Sequence, residues 1–254
     1  MRPVAIFDSG IGGLTVMAEV QRRMPHLPLI FYADQAHVPY GNKAPENIRA
    51  YMMEVLEDLR PYHIQALLLA CNTATSAAAD FLRAQTDFPI VGMEPAVKPA
   101  VLKEAVDKKI LVSATDLTLR LDKLSRLIKN LAAEDRVQRL SLQELVTFAE
   151  KGDFDGPAVE QYLGDQLAPY DLSTVGALVL GCTHFLYFKP LLEAILPPTI
   201  DMIDGNVGTV KQLQKLIAYH EDGQGPGPQP QFIVSGRPAS KEEADFFQAC
   251  LCRS

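Results

Sequence analysis

The chain alternates between short apolar runs and longer stretches in which apolar residues recur every three or four positions. Seven apolar runs are typical of buried strands: Val4–Phe7, Leu29–Tyr32, Ala66–Ala70, Pro89–Met93, Ile110–Val112, Ala177–Leu180 and Ile200–Ile203. The spaced pattern predicts helices over Leu14–Met24, Ile48–Leu59, Val97–Val106, Leu117–Leu131, Val159–Leu167 and Val210–Tyr219. Strand–helix alternation of this kind predicts an α/β fold with mainly parallel sheets covered by helices.

Two of these predicted strands end in closely similar sequences. ALLLACNT occupies residues 66–73 and ALVLGCTH occupies residues 177–184, and each is an apolar run that ends in a small residue, a cysteine and two polar residues. The cysteines are Cys71 and Cys182. In open parallel sheets, ligands bind outside the carboxyl ends of the strands, so both cysteines stand where a binding site is expected. The repeat is short, but it suggests two similar α/β halves.

Near the end of the chain the pattern changes twice. EDGQGPGPQP, residues 221–230, is too rich in Gly, Pro and Gln to pack a core and predicts a mobile loop. QFIVSG then predicts a strand, and KEEADFFQACL predicts a closing amphipathic helix. We interpret Cys250 and Cys252 as packing or surface thiols of this helix.

Composition and charge narrow the class of protein. The chain has 254 residues, 48% of them apolar and 22% charged, which is ordinary for a soluble globular protein. Its net charge of -7 argues against a general nucleic-acid binder, because phosphate contacts need a basic surface. The first apolar stretch is too short for a signal peptide, and no window approaches the ~18 apolar residues of a membrane helix. We therefore expect a cytoplasmic protein with reduced thiols that binds neither nucleic acid nor a membrane.

The chemistry of Cys71 and Cys182 is open at this point. Cysteine usually packs as a small hydrophobe, but both residues precede predicted helices, whose N-termini favour a thiolate, and polar residues follow both. His184, two residues after Cys182, is a candidate acid–base group. The chain has no CxxC or HxxxH pair, which argues against zinc. A Cys–His hydrolase would leave one cysteine unexplained, and disulfide redox chemistry normally uses closely spaced cysteines.

Three further stretches could bind a ligand or could simply shape the backbone. DSGIGGLT leads from a predicted strand into a helix, but Thr15 stands where a dinucleotide fingerprint needs glycine. Its first residue, Asp8, could cap that helix or handle protons in a pocket. VPYGNK has the composition of a turn. Thr115 and Thr118 could cap a helix or bind a carboxylate with their hydroxyls.

Taken together, these motifs resemble those of glutamate racemases. The matching residues are Asp8, Ser9 and Gly10 of the opening motif, Pro39, Tyr40 and Gly41 of the substrate loop, Thr115, Thr118, and the cysteine motifs Cys71-Asn72-Thr73 and Cys182-Thr183-His184. The likeness runs from about Val4 to Gly205. The departures from the family pattern are Ala33, Phe185-Leu186-Tyr187, and Leu142-Gln143, which replaces a Cys-Pro pair ahead of Glu150-Lys151-Gly152. They bear on the details of the pocket more than on the reaction.

The resemblance implies a fold and a molecular organisation. It implies two Rossmann-like or flavodoxin-like α/β domains with mainly parallel sheets, related by a pseudo-twofold axis, with the active site between them. The first domain would comprise residues 1–96 and 207–254, and the second would be inserted as residues 97–206. The expected molecule is a homodimer that acts on glutamate, uses no cofactor or metal, and supplies D-glutamate for peptidoglycan.

The resemblance also implies a mechanism, and that mechanism explains the repeated cysteine. A single rigid base cannot reach both faces of a Cα, so racemisation needs two. By resemblance, Cys71 takes the proton from D-glutamate with help from Asp8, and Cys182 takes it from L-glutamate with help from His184. The substrate-binding set implied by the family is Asp8, Ser9, Pro39, Tyr40, Gly41, Cys71, Asn72, Thr73, Thr115, Thr118, Cys182, Thr183 and His184.

Two alternatives to this function stay open from the sequence. One is a related racemase that acts on aspartate or a hydantoin. The other is a protein without catalytic activity that binds an amino acid or an anion on the same scaffold. Entry of solvent deuterium at Cα distinguishes a catalyst from a binding protein, and comparison of substrates distinguishes the racemases.

Overall fold

The computed structural model describes residues 1–219 and 227–253. These residues form two compact units. The first unit comprises residues 1–93 and the described residues from 206 onward, and the second is Glu94–Gly205. Residues 221–226 of the predicted mobile loop lie outside the described residues. The division into domains after residues 96 and 206 stays a prediction.

Strands and helices alternate along most of the described chain. The strands are β1 (Val4–Asp8), β2 (Leu29–Ala33), β3 (Ala66–Leu69), β4 (Ile90–Gly92), β5 (Lys109–Ala114), β6 (Val137–Ser141), β7 (Val175–Leu180), β8 (Asp201–Asp204), β9 (Gln231–Val234) and β10 (Arg237–Pro238). The helices are α1 (Leu14–Arg23), α2 (Pro45–Leu59), α3 (Asn72–Arg83), α4 (Val97–Lys103), α5 (Asp116–Arg120), α6 (Asp122–Asn130), α7 (Glu144–Glu150), α8 (Pro157–Leu167), α9 (Lys189–Ile195), α10 (Asn206–Leu216) and α11 (Lys241–Cys252). Among the described residues, four short 3₁₀ helices cover Tyr40–Asn42, Arg60–Tyr62, Leu172–Thr174 and Thr183–Phe188. Within residues 1–219 and 227–253, every helix is too short or too polar to cross a membrane.

The sheet of the first unit has the strand order β10-β9-β2-β1-β3-β4 among the described residues. All neighbouring pairs are parallel except β9 and β10. The chain leaves β1 for β2 on one side and later crosses to β3 on the other side. This change of direction opens a crevice at the carboxyl ends of β1 and β3, which is where open α/β sheets bind ligands.

The sheet of the second unit follows the same plan on a smaller scale. Its order is β6-β5-β7-β8 among the described residues, and all pairs are parallel. Here β5 is the strand from which the chain goes to β6 on one side and β7 on the other. The prediction of an α/β protein with mainly parallel sheets is confirmed, whereas the pseudo-twofold relation and a site between the domains stay predictions.

Several predicted elements differ from the observed ones for local reasons. The helix predicted over Leu117–Leu131 is two helices, α5 and α6, because Leu121 between them has an extended backbone. The strand predicted over QFIVSG ends at Val234, since the next two residues form a turn. β6 was not predicted because it is an edge strand whose exposed Gln138 and Arg139 interrupt the apolar pattern.

Gly13 marks the tightest packing at the carboxyl end of β1. It precedes α1, and a Cβ at this position would lie 2.7 Å from Asp8 Cβ, 3.0 Å from the Phe31 ring and 3.2 Å from Ala70 Cβ. Its φ of -64° is open to any residue, so the requirement is for space. Glycine therefore lets α1 begin against the strand that carries Asp8.

Replacing Gly13 with alanine is expected to overpack this corner. We predict that Gly13→Ala lowers the free energy of unfolding by about 1–3 kcal/mol, the usual cost of an inserted methyl in a tight core. Gly164→Ala is the matched control, because a Cβ there has no atom within 4 Å. It should raise the free energy of unfolding by roughly 0.5–1 kcal/mol, since alanine is the better helix former. Urea denaturation of both variants measures the difference, and equal effects would contradict the packing argument.

Candidate active site

The corner after β1 places a buried carboxylate at the head of the first unit's crevice. Asp8 is fully buried, and the Gly10 N–H donates to its Oδ1 at 2.9 Å. This contact turns the chain from the strand toward α1 and orients the carboxylate. Ser9 is buried beside it. The capping role considered for Asp8 is wrong, because the N-cap of α1 is Gly13 and α1 has no side-chain cap. A role for Asp8 in handling protons stays a prediction.

Cys71 occupies the adjoining corner, between β3 and α3. The Ala74 N–H donates to Cys71 Sγ at 3.4 Å, so the thiol is the N-cap of a twelve-residue helix. Its sulfur also lies 3.8 Å from Ser9 Oγ. Backbone N–H groups and the positive end of a helix stabilise a thiolate over a thiol. The sequence-based reason for expecting an activated thiol therefore applies to Cys71.

The first turn of α3 adds polar side chains to the same corner. Asn72 and Thr73 are both buried. The Asn72 Oδ1 atom accepts no hydrogen bond from the described residues. A buried acceptor normally has a partner, so this oxygen is suited to a donor that a ligand brings, such as an ammonium group.

The predicted substrate loop is held by a second carboxylate of the first unit. Tyr40 is buried, and its hydroxyl donates to Asp34 Oδ2 at 2.6 Å. Its ring centroid lies 6.0 Å from that of Phe7 on β1. Burial, together with the negative charge of Asp34, raises the pKa of Tyr40 well above its usual value. The tyrosine is therefore a neutral donor at physiological pH, and it fixes Pro39 and Gly41 on either side of it.

Two threonines lie after β5 in the second unit. Thr115 is the N-cap of α5, because its Oγ1 accepts from the Thr118 N–H at 3.4 Å. The Thr115 hydroxyl also lies 3.0 Å from Thr118 Oγ1. Both side chains are buried. The capping role considered from the sequence is confirmed for Thr115, and carboxylate binding by the pair stays a prediction.

Cys182 lies at the end of β7, the central neighbour of β5. Its Sγ is 3.8 Å from His184 Nδ1, and His184 Nε2 is 2.6 Å from Glu150 Oε1. An ionised carboxylate can only accept, so Nε2 carries a proton and Nδ1 faces the sulfur. The side chains of Cys182, His184 and Glu150 are largely buried. Thr183, between Cys182 and His184 in the sequence, is also buried. The arrangement can move a proton between the thiol and the imidazole while the carboxylate stabilises the imidazolium.

The helix that follows Cys182 differs from the one that follows Cys71. Cys182 precedes the six-residue 3₁₀ helix Thr183–Phe188, and its side chain makes no capping hydrogen bond. Stabilisation of its thiolate by a helix N-terminus stays a prediction. A short 3₁₀ segment has poorer alignment of its peptide dipoles than an α-helix. The polar partner of this thiol is therefore the imidazole.

Glu150 is a member of this set that its local sequence does not predict. It is the last residue of α7, 34 positions before His184, and nothing in its local pattern marks it as part of a site. The available signal was the Glu150-Lys151-Gly152 segment, which matched the family at a place where the preceding residues departed from it. Among the residues that the structure describes, no group of three His, Cys, Asp or Glu side chains is arranged to hold a metal ion.

The structure thus gathers the predicted residues into two sets, one per unit. The first set lies at the carboxyl ends of β1 to β3 and contains Asp8, Ser9, Pro39, Tyr40, Gly41, Cys71, Asn72 and Thr73. The second lies at the carboxyl ends of β5 and β7 and contains Thr115, Thr118, Cys182, Thr183 and His184. The catalytic and binding roles of these residues stay predictions.

A family model described as Asp/Glu/Hydantoin racemase matches residues 14–213, which is most of the chain. The chain belongs to this racemase family. The match spans both cysteine corners and the substrate loop. The enzyme class is therefore racemase, and not hydrolase or disulfide oxidoreductase.

Relatives and solved structures are similar to this racemase over most of its length. Glutamate racemase of Halothermothrix orenii is 50% identical over 214 residues, which cover 84% of each chain. The crystal structure of Escherichia coli glutamate racemase, in complex with L-glutamate and the activator UDP-MurNAc-ala, superposes with a TM-score of 0.85 at 27% identity, covering 100% of this chain and 95% of that one. Glutamate racemase from Francisella tularensis, in complex with D-glutamate, gives a TM-score of 0.82 at 25% identity, covering 99% and 94%.

Because the pKa of the buried Tyr40 is raised, the stability of this racemase is expected to fall as the pH rises into the alkaline range. A group whose pKa is raised by folding stabilises the fold fully below its unfolded pKa of about 10, and that contribution is lost as the pH rises toward the folded value. We predict that Tyr40→Phe is less stable than wild type by about 1–3 kcal/mol at pH 7, since Asp34 loses a donor. The difference in unfolding free energy between the two proteins should narrow above about pH 10, because only wild type has a hydroxyl at position 40 that can ionise. Urea denaturation from pH 7 to 11 measures it, and a constant gap would contradict the assignment.

Proposed function

We propose that the protein is a glutamate racemase that interconverts L- and D-glutamate. The observation that carries the proposal is the pair of buried thiols, each at the carboxyl end of a central strand and each beside a polar partner. The names of the relatives support glutamate as substrate, as do structures of relatives with L-glutamate and with D-glutamate. No cofactor is part of the proposal.

In this proposal, Cys71 and Cys182 act on opposite faces of the same Cα. One cysteine, as thiolate, removes the proton from one face of Cα. The other cysteine, as thiol, then donates a proton to the opposite face and becomes a thiolate. The second thiolate then serves the reverse reaction. Cysteine suits both roles, because its unperturbed pKa of about 8.5 leaves thiol and thiolate within reach near neutral pH. Asp8 assists Cys71 and His184 assists Cys182, each by accepting or returning a proton.

The Cα–H bond of an amino acid is very weakly acidic, so the protein must stabilise the carbanion that develops. Preorganised donors in a site sheltered from water are the means that this chain offers. The donors we assign to the substrate's carboxylates are the hydroxyls and amides of Ser9, Asn72, Thr73, Thr115, Thr118 and Thr183, together with N–H groups at the starts of α3 and α5. The free acceptor of Asn72 is suited to the substrate ammonium group.

The family resemblance supports a biological setting. We expect a cytoplasmic homodimer that supplies D-glutamate for peptidoglycan. Sedimentation analysis of the purified protein tests the dimer, and a monomer at all concentrations would contradict it. Racemases that act on aspartate or a hydantoin are the nearest alternatives, and the printed description of the family includes both substrate classes.

The first test follows the circular dichroism of L-glutamate with purified, reduced protein and no added cofactor. We expect the signal to decay to zero, and we expect the product formed in D₂O to carry deuterium at Cα. A stable signal with folded protein would contradict the proposal. Decay of the L-aspartate signal alone would assign the related substrate, and no exchange with either substrate would favour a binding protein.

Removal of either site thiol is expected to abolish racemisation. We predict that Cys71→Ala and Cys182→Ala each lower kcat by about 10³-fold or more, because each removes one of two essential proton-transfer groups. Cys252→Ala is the control, since Cys252 is an exposed thiol on α11, and its activity should match wild type. Near-normal racemisation by either of the first two variants would defeat the two-base account.

Glu150 is expected to matter through the proton that it holds on His184. We predict that Glu150→Gln lowers kcat about tenfold, since one charge-assisted hydrogen bond becomes neutral. The α-deuterium isotope effect should rise more with L-glutamate than with D-glutamate, because Cys182 abstracts the proton of the L enantiomer. Glu160→Gln, an exposed change on α8, is the control. An isotope effect that rises equally in both directions would contradict this assignment.

A further inference from the structure

The hairpin that joins β9 to β10 has an unusual backbone. Its two-residue turn is Ser235-Gly236, with φ values of 44° and 83°. Positive φ at both central positions is the pattern of a type I′ turn, for which Asn and Gly are the preferred residues. Serine is disfavoured in this left-handed region. A strained residue of this kind persists when its side chain has something to hold.

Ser235 holds the segment that follows β2. Its N–H donates to the Ala33 carbonyl at 2.9 Å, which continues the pairing of β9 with β2. Its Oγ accepts from the Ala36 N–H at 3.0 Å and donates to Asp34 Oδ1 at 3.3 Å. Ser235 therefore contacts three of the four residues 33–36, although Asp34 is 201 residues away along the chain.

Asp34 connects Ser235 to the predicted substrate loop. The carboxylate is buried, and its second oxygen, Oδ2, accepts from the Tyr40 hydroxyl at 2.6 Å. His37 Nδ1 lies 2.9 Å from the same oxygen, and its ring stacks on Tyr51 with 3.7 Å between centroids. Both carboxylate oxygens thus have partners, and the orientation of Asp34 is fixed from both sides. His37 Nδ1 also lies 3.0 Å from Oδ1, so Ser235 and His37 contact one oxygen and Tyr40 and His37 contact the other.

The space around the turn is also occupied, so the turn cannot drift. A Cβ at Gly236 would lie 2.8 Å from Asp58 Oδ2, and that oxygen already accepts from the Tyr32 hydroxyl at 2.6 Å. Glycine is required there by both its φ and its surroundings. No such crowding requires a serine at position 235, where glycine would satisfy the backbone equally well. The Ser235 hydroxyl is therefore the part of this turn that the hairpin itself does not need.

We propose that Ser235 is a positioning residue for substrate binding: through Asp34 it sets the place of Tyr40 and hence of the loop Pro39-Tyr40-Gly41. This inference rests on the proposed function, because it takes that loop as part of the glutamate site. A loop held in its binding conformation before the substrate arrives binds more tightly, since less ordering remains to be done. The expected signature is therefore weaker substrate binding in a protein of unchanged stability.

Ser235→Gly is the informative variant, because glycine keeps the turn and removes only the hydroxyl. We expect hydrogen–deuterium exchange of residues 34–43 to become faster. The melting temperature should stay close to wild type, because glycine relieves the strain of the positive φ at position 235 and so offsets the lost hydrogen bonds. We expect KM for glutamate to rise about tenfold, the effect of one lost hydrogen bond to a charged group, with a much smaller change in kcat. Ala132→Gly is the matched control. Ala132 is exposed, lies in the second unit and has a similar positive φ, of 48°. It should change neither exchange at 34–43 nor KM.

The outcomes separate this inference from the proposed function. If hydrogen–deuterium exchange of residues 34–43 is unchanged in Ser235→Gly, Ser235 does not position the loop, whatever the values of kcat and KM. Faster exchange with unchanged KM overturns the role in substrate binding. A proportional loss of kcat and melting temperature would mean that the hydroxyl serves stability alone, and it also overturns the proposal. If wild type does not racemise glutamate, the proposed function fails and the exchange measurement still decides whether Ser235 positions the loop.

Discussion

The parallel pairing of the two central strands in each unit is the constraint on which the rest of the site depends. Phe7 pairs with Leu69 in the first unit, and Ser113 pairs with Leu180 in the second. Because these strands are buried, their backbone hydrogen bonds must be made, and a slip of one residue would turn every side chain to the opposite face. The pairing therefore fixes where each strand ends, and with it the position of the cysteine that follows. Gly181 shows how closely the ends approach, since a Cβ there would lie 2.5 Å from the Ser113 carbonyl oxygen.

The two thiols reach similar positions but have different partners. Cys71 is surrounded by a helix N–H and a hydroxyl, whereas Cys182 faces an imidazole that is backed by a carboxylate. A helix end stabilises a thiolate, whereas an imidazole can take the proton itself. In the proposed mechanism, Asp8 is the group that exchanges a proton with Cys71. In the proposed mechanism one cysteine must begin as thiolate and the other as thiol. The unlike polar partners of the two thiols are compatible with that requirement.

The parts of this architecture that could be predicted from sequence are those with a local signal. Buried strands such as β1, β3 and β7 are continuous apolar runs, and the rule that ligands bind at the carboxyl ends of parallel strands then locates Asp8 and Cys71. The break at Leu121 and the edge strand β6 were missed because neither has a distinctive pattern. Glu150 and Ser235 were missed for another reason. Their roles come from partners 34 and 201 positions away, and only the fold brings those partners within hydrogen-bonding distance.

The order of elements along the chain adds a consequence for the first unit. Without β9, strand β2 would be the edge of the sheet, and its outer N–H and C=O groups would have no strand partner. α11 also completes the core beside β2, where the Phe247 ring lies 5.7 Å from that of Phe31. Both elements follow the whole of the second unit in sequence. The hairpin that contacts Asp34 therefore forms only after nearly all of the chain is available. The loop Pro39-Tyr40-Gly41, near the N-terminus, is held through Asp34 by residues near the C-terminus. Such long-range pairing makes the first unit dependent on residues from both ends of the chain, and it ties the loop Pro39-Tyr40-Gly41 to completion of the sheet.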